Sequence, residues 1–445
     1  MQFSNKSVVV VGIKRSGMAA IELLIKEGAR VRAMDMQLPS TEEQARLDAL
    51  GVPFFSQTVE SLFGVNRTPD FIVLSPGVPL DTPLFVEAAR RGIPITGEVE
   101  LASHFLEGPT IGITGSNGKT TTTGLTGHLL SAANIPNQVG GNIGTAVTSL
   151  VASSNEDQWN VLELSSFQLE TVSSFEARIA ACLNVTPDHL DRHGTLERYA
   201  AAKKRIFETQ TNLDLAVLNY DDAICRQFAA VAKAEVYWFS STQPVPLGVA
   251  LENNQLLYCG EPFANRDQIK LRGIHNLENV MAASLIARLT GAPLDSLASA
   301  IHSFPGVEHR LEFVRELNGV QYFNDSKATN VDAALKAIAA FSQNLWIILG
   351  GKDKGSDYRP LREPLQASAK AVLLIGAAAP LINEALEGAV SMIHCETMPA
   401  AIHYSHAHAQ PGDVVLLAPA CASFDQYQNY EERGRHFKQL VSELF

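Results

Sequence analysis

The sequence predicts an α/β fold in three domains: a Rossmann-like N-terminal domain, a central P-loop domain with a parallel sheet, and a C-terminal Rossmann-like domain. Three observations lead there. Short, β-branched apolar runs alternate with amphipathic helical stretches, the pattern of βαβ units in a parallel sheet. A glycine-rich turn, Gly115-Ser-Asn-Gly-Lys-Thr120, joins the apolar run Thr110–Thr114 to a helix. The 445 residues also divide into three domains at roughly 150 residues each. Connectors near Gly97 and at Ser303–Gly306 place the expected domains at 1–97, 98–305 and 306–445.

Composition narrows the function class. An apolar content of 46% with 18% charged residues belongs to a soluble globular chain with a large core. A net charge of -12 argues against nucleic acid or an anionic membrane as the main partner. The five cysteines are scattered without a CxxC pair, which suits a reducing compartment and no structural zinc. The longest apolar stretch, around Ala371–Ile382, is broken by Gly376 and Pro380 and falls short of the ~18 residues a membrane span needs. The run KSVVVVGI is too short for a secretory leader. The expectation is a soluble, cytoplasmic protein without membrane insertion.

In the first block, Ser7–Gly12 reads as a strand, Gly17–Gly28 as a helix, and Arg30–Asp35 and Asp70–Ser75 as further strands. The turn Gly12-Ile-Lys-Arg-Ser-Gly17 is an altered dinucleotide fingerprint, with Lys14 where GxGxxG has its second glycine. A side chain there blocks the closest backbone approach to a pyrophosphate, so the turn predicts a nucleotide-diphosphate site of a kind other than NAD's. Asp35 ends a strand, where a carboxylate either meets a ligand hydroxyl or faces solvent. The turn Ser75-Pro-Gly77 either touches ligand or only reverses the chain.

The central block is organised around Ile111–Thr123, IGITGSNGKTTTT. A glycine turn opening a helix presents N–H groups and a positive dipole end to an anion. Lys119 can reach β- and γ-phosphates and Thr120 can offer a hydroxyl to Mg²⁺. The spacing is the short GxxGKT, since Ile113 stands where the longer motif has glycine. Beyond it, Val139-Gly-Gly-Asn-Ile-Gly144 is a flexible turn. A strand over Asn160–Leu164 delivers Glu163, and one over Ile179–Val185 leads to Asp188, His189 and Asp191. Carboxyl ends of parallel strands are where such sheets put their chemistry. A helix over Leu196–Thr209 carries Lys203, Lys204 and Arg205, and strands follow at Asp214–Tyr220, Val236–Ser240 and Leu251–Gly260, the last a hairpin through Asn253-Asn254. Asn276 opens a helix running to Leu289 and reads as a helix cap.

The third block repeats the alternation, with strands at Leu345–Leu349, Ala371–Ile375, Ser391–Cys395 and Val414–Ala418, and Asp325, Lys327 and Lys354 in its loops. This is a second doubly wound sheet. His403, His406 and His408 match no metal spacing and read as an exposed helix face.

The ordered set ITGSNGKTTT, ELSSFQLE, NVTPDHLDRHGT, YAAAK, GIHNLENVMAA, PGVEHRLE, FNDSKATN and LAPACASFDQYQNYEERG resembles the Mur ligases that build the peptidoglycan stem peptide. It looks most like their D-glutamate-adding branch. Each motif alone is weakly specific, but the set spans nearly the whole chain in order.

The resemblance implies an ATP-dependent acid–amino-acid ligase that joins D-glutamate to UDP-N-acetylmuramoyl-L-alanine in the cytoplasm, as a monomer. By similarity, Arg15, Ser16, Asp35, Ser75 and Gly77 line the uridine diphosphate site, with Asn142 and His189 near the sugar. Gly115, Ser116, Asn117, Gly118, Lys119, Thr120 and Thr121 hold ATP phosphates, while Asn276, Arg310 and Asp325 meet adenine, ribose or phosphate, with His309 beside them. Thr120, Glu163, His189 and Lys203 hold two Mg²⁺ ions, Lys203 being the lysine that the family carbamylates. Lys119, Glu163, His189 and Lys203 form the implied catalytic set. Lys327, Thr329, Lys354, Ser423 and Tyr430 surround the incoming amino acid, with Lys352 a competitor for the place of Lys354.

The competing readings are a Mur-type ligase for a different amino acid, such as L-glutamate, and a non-ligating ATP-gated binding protein. Folylpolyglutamate synthase shares the fold but lacks a UDP-sugar domain. A diaminopimelate-adding ligase is disfavoured by the absence of a DNPR-like loop in the third block.

Overall fold

The computed structural model describes residues 3–64, 68–271 and 273–445; the side chain of Asp191 lies outside the described ones. Three sheets form, one per expected domain, and the architecture is three-domain α/β. The first holds β1 (Ser7–Val11), β2 (Arg30–Asp35), β3 (Phe54–Ser56), β4 (Phe71–Leu74) and β5 (Ile95–Gly97), all parallel, in the order β3-β2-β1-β4-β5. Buried strands alternate their side chains between the two faces. Val8, Val10 and Ala33 join one apolar cluster, while Val9, Val11 and Met34 join the other.

The second sheet holds β6 (Thr110–Thr114), β7 (Asn137–Gly141), β8 (Trp159–Glu163), β9 (Ile179–Cys182), β10 (Leu215–Asn219), β11 (Glu235–Ser240), β12 (Gly248–Glu252), β13 (Gln255–Tyr258) and β14 (Glu261–Asn265). Its order is β14-β13-β12-β11-β10-β9-β6-β8-β7, parallel from β12 to β7. The β12–β13 hairpin turns at Asn253 and Asn254, whose φ of 48° and 66° are the left-handed values that asparagine tolerates. The chain runs from β6 outward to β7, returns to β8 and crosses to β9. The sheet therefore reverses its winding beside β6, which opens a crevice at the carboxyl ends of β6, β8 and β9.

The third sheet holds β15 (Glu312–Leu317), β16 (Val320–Asn324), β17 (Leu345–Gly350), β18 (Ala369–Ile375), β19 (Ser391–Glu396) and β20 (Val414–Leu417) in the order β15-β16-β20-β17-β18-β19. β15 is antiparallel, so the doubly wound sheet has an antiparallel edge that its sequence did not announce. His403 and His408 are exposed on the helix Met398–His408, as expected, whereas His406 is half-buried.

The chain packs as two compact units. One runs to Lys270 and resumes over Ile274–Phe304, and the other is Pro305–Phe445 with the short segment at Leu271 and Gly273. The first unit contains two sheets because the helix after β5, Glu98–Ser103, buries its acids among residues of the central block. Glu100 accepts bonds from the backbone N–H groups of Ser173, Ser174 and Phe175, and Glu98 from Thr148. Among the described residues no helix is long and apolar enough to cross a membrane.

Candidate active site

Gly115 and Gly118 follow β6 with φ of 153° and 85°, and Gly118 caps the helix Lys119–Ala132. A Cβ on Gly118 would stand 2.1 Å from Asn279 Oδ1, so only glycine fits there. Thr120 and Thr121 are buried in the first turn. Ser116 and Asn117 are held from outside the loop: their N–H groups donate to Asn184 O and Asn184 Oδ1 at 2.9 and 2.8 Å.

Asn276 lies inside the helix Ile274–Leu289, not at its cap, which corrects the capping expectation. Its Oδ1 accepts from Asn279 Nδ2 at 3.1 Å, and Asn279 Oδ1 accepts from Thr122 Oγ1 at 3.3 Å. Asn276 is thereby tied to the phosphate-loop helix.

Glu163 ends β8 and is 1% exposed. Its Oε1 accepts from Asn142 Nδ2 at 2.8 Å, while its Oε2 is buried without a hydrogen bond. Lys203 sits on the helix Leu196–Lys204, which ends short of Thr209 because Arg205–Phe207 tightens to a 3₁₀ turn. Its ammonium is buried, donates to Gly115 O at 2.7 Å and lies 4.4 Å from the Tyr199 ring centroid. Burial, with the charge of Lys119, lowers its pKa from 10.5 to about 7. Lys119 Nζ donates to Gly115 O at 2.8 Å and Ser116 O at 2.9 Å. His189 is exposed in a left-handed turn (φ 51°), its ring centroid 4.8 Å from that of Phe167 and 6.3 Å from that of Tyr199.

In the first block the altered fingerprint keeps its glycines for steric reasons. A Cβ on Gly17 would stand 1.7 Å from Gly12 O, and Gly12 itself has φ 88°. Lys14 turns outward to Glu43 at 3.0 Å. Asp35 accepts from the N–H groups of Ile13 and Gln37, and Ser75 Oγ donates to Gly12 O at 2.7 Å, so both hold the turn. Arg15 and Ser16 open the helix Arg15–Lys26, and Gly77 is exposed. Arg15 Nη2 reaches Asn142 O at 3.4 Å, joining this turn to the site around Glu163.

In the second unit, Asp325 and Lys327 follow β16. Burial pushes the Asp325 carboxyl up to about 6, against the pull of Arg310. Lys327 N donates to His309 O, and Lys327 Nζ lies 6.0 Å from the Tyr430 ring centroid. Ser423 is buried. Thr329 N donates to Lys327 O at 2.8 Å. Lys352 and Lys354 are both exposed, with the Lys352 backbone paired to Ala422.

Sequence reading missed the residues that fix these loops. Arg433, 1% exposed, donates to Ser326 O, Ser326 Oγ, Cys421 O and Ala422 O, so it clamps the Lys327 loop to the Ser423 loop. His193 contacts Ser166 Oγ at 3.0 Å and Glu170 Oε1 at 3.3 Å while stacking on Phe167, the ring beside His189. The motif EERG held Arg433, but nothing local to it named the partner.

The crevice fits a nucleotide triphosphate and a hard cation. Its floor admits no Cβ at Gly118, and Glu163 Oε2 is a buried acceptor without a donor. Among the described residues no cluster of three or more His, Cys, Asp or Glu could hold a metal alone. A magnesium ion needs no such cage, since it takes one or two carboxylates and completes its shell with water and phosphate oxygens.

Family models match the chain in three consecutive pieces: the Mur ligase MurD-like N-terminal domain over residues 6–97, the Mur ligase middle domain over 113–287 and the Mur ligase glutamate ligase domain over 309–421. The chain belongs to the Mur ligase family. Within it, the UDP-N-acetylmuramoylalanine--D-glutamate ligase of Solibacter usitatus is 54% identical over 444 residues, covering 100% of this chain and 99% of that one. The enzymes of the same name from Acidobacterium capsulatum and Koribacter versatilis are 48% and 46% identical, covering 97% and 99% of their lengths and 99% and 100% of this chain. Solved Mur ligases share the fold. The UDP-N-acetylmuramate-alanine ligase MurC of Thermotoga maritima superposes with a TM-score of 0.62 at 19% identity, covering 98% of this chain and 99% of that one. The MurF ligase of Thermotoga maritima, in complex with ADP, gives 0.59 at 18% identity, covering 99% of this chain and 96% of that one.

Proposed function

We propose that this chain is the ATP-dependent ligase that forms an amide between the carboxyl group of UDP-N-acetylmuramoyl-L-alanine and the amine of D-glutamate. A carboxylate is a poor acyl donor because its oxygen leaves poorly. Transfer of the γ-phosphoryl group of ATP onto that oxygen makes an acyl phosphate and ADP. The glutamate amine then attacks the carbonyl carbon, the C–O bond to phosphate breaks, and the nitrogen loses its proton. Phosphoryl transfer is served mainly by positioning and by neutralising charge. The loop Gly115–Thr121 cradles the phosphates, and Lys119 swings from its own loop carbonyls to the β- and γ-oxygens.

Thr120, Glu163, His189 and a carbamylated Lys203 would hold magnesium, two ions in all, which neutralise phosphate charge when bound. Arg15, Ser16, Asp35, Ser75, Gly77, Asn142 and His189 serve the UDP sugar. Asn276, Arg310 and Asp325 serve the nucleoside side of ATP. Lys327, Thr329, Lys354, Ser423 and Tyr430 receive glutamate, with lysines suited to its two carboxylates. Domains at 1–97, 98–305 and 306–445, a monomeric state and a cytoplasmic location complete the reading.

The single observation that carries it is the buried amine of Lys203, bonded to the phosphate-loop carbonyl of Gly115 and with its pKa down to about 7. A surface lysine stays protonated; this one is neutral often enough to take up carbon dioxide, which turns a cation into an oxygen ligand. The test is phosphate release with ATP, UDP-N-acetylmuramoyl-L-alanine and a panel of D- and L-amino acids. Release that requires both the acceptor and D-glutamate is expected. Release without either would indicate an ATP-gated switch, and release with L-glutamate alone would reassign the amino acid.

A further inference from the structure

The phosphate loop is splinted by Asn184, a residue outside the substrate and metal sets. Asn184 follows β9, and its side chain grips Asn117 at both ends: Oδ1 accepts from Asn117 N at 2.8 Å and Nδ2 donates to Asn117 O at 3.2 Å. Its carbonyl takes Ser116 N at 2.9 Å. Two residues on, Thr186 and Ser116 exchange a second reciprocal pair, Thr186 N to Ser116 Oγ and Ser116 Oγ to Thr186 O, both 2.9 Å. Asn117 Nδ2 adds a contact to Thr186 Oγ1 at 3.4 Å.

The segment so zipped to the phosphate loop is the one that ends in Asp188 and His189, with Pro187 stiffening the stretch between. On its other side Val185 N is tied to Asp222 Oδ2 at 3.0 Å. A carboxamide is the side chain that can accept from the N–H and donate to the carbonyl of the same residue. An aspartate keeps only the first half of that grip, and a leucine of similar volume keeps neither.

We propose that Asn184 is a positioning residue that couples the nucleotide to the UDP-sugar acceptor, by making the phosphate loop and the His189 segment move as one body. The proposal rests on the ligase reading. A nucleotide that orders Ser116 and Asn117 then also orders His189, so the acceptor meets a prearranged site. A packing role alone predicts lower stability without any change in that coupling.

Calorimetry on the full chain separates the two. The acceptor UDP-N-acetylmuramoyl-L-alanine is titrated with and without a saturating, non-hydrolysable ATP analogue and magnesium. In the wild type the analogue should tighten acceptor binding about 5-fold or more, the lower end of ordinary coupling. In Asn184→Asp that factor should fall to within about 2-fold of unity, while acceptor affinity without nucleotide and the melting temperature stay near wild type. Asn184→Leu should behave alike and serves as the second variant if the aspartate lowers stability. A wild-type factor of one, or an unchanged factor in both variants, overturns the proposal. A wild type that binds no acceptor at all refutes the ligase reading together with it.

Discussion

Lys119 and Lys203 converge on one acceptor, the carbonyl oxygen of Gly115, at 2.8 and 2.7 Å. Burial, reinforced by the repulsion between two ammonium groups sharing one oxygen, lowers the Lys203 pKa to about 7. The phosphate-loop lysine thus helps to set the protonation state of a residue far away in sequence. Lys119 can leave for a phosphate, whereas Lys203 stays fixed against Tyr199.

Lys203→Ala should be nearly inactive and partly rescued by acetate or another short carboxylate, which can supply the missing oxygens. Lys204→Ala, on a half-buried neighbour, should be close to normal. Steady-state rates with and without added acid check this. Equal behaviour of the two variants would remove the carbamate from the account.

Lys203 also makes a stability prediction. Its pKa is about 7 when folded and about 10.5 when unfolded, so between those values the unfolded chain binds the extra proton. Stability contributed by the neutral folded amine is present above pH 10.5, falls as pH drops from 10.5 to 7, and is flat below. Relative to Lys203→Met in buffer free of carbon dioxide, the wild type should lose stability across that window. Urea unfolding at pH 7, 8 and 9 measures it, and a constant difference would contradict the buried, neutral amine.

Glu163→Gln keeps the shape of the side chain and its bond with Asn142 but removes the charge at the orphaned Oε2. Turnover should fall about 10²-fold or more, on the order of 3 kcal/mol. The magnesium requirement should move to higher concentration, while the melting temperature holds or rises. An unchanged magnesium titration would take Glu163 out of the metal site.

Gly118→Ala should weaken both the fold and the nucleotide site. A left-handed residue with a Cβ costs about 1–2 kcal/mol, and that Cβ would also displace Asn279 from the helix start. Denaturant unfolding and binding of an ATP analogue report the two effects, and a variant matching wild type in both would overturn the steric argument.

Much of this site was legible because it is local. The turn GSNGKT, Glu163 at a strand end and the Asn253-Asn254 hairpin each declare themselves within a few residues. What was not legible was partnership. β9 stops at Cys182, short of the expected Val185, because the residues beyond it bond to the phosphate loop instead of continuing the ladder. Asn276 looked like a cap because asparagine favours caps, yet it lies inside the helix and its side-chain oxygen accepts from Asn279. Arg433 grips Ser326, 107 positions away, and no local pattern carries that information. The antiparallel edges β14 and β15 escaped notice for a related reason: a short edge strand is defined by the neighbour it pairs with.

The central claim is that the acceptor's carboxylate is activated as an acyl phosphate before the amine attacks. It is tested most directly with UDP-N-acetylmuramoyl-L-alanine carrying ¹⁸O in its terminal carboxylate, turned over with ATP and D-glutamate. The carboxylate oxygen that attacks the γ-phosphorus stays with phosphorus when the amine displaces it. Mass spectrometry of the released phosphate should therefore find one ¹⁸O atom per amide formed from fully labelled acceptor; phosphate free of label, alongside amide product, would contradict the mechanism.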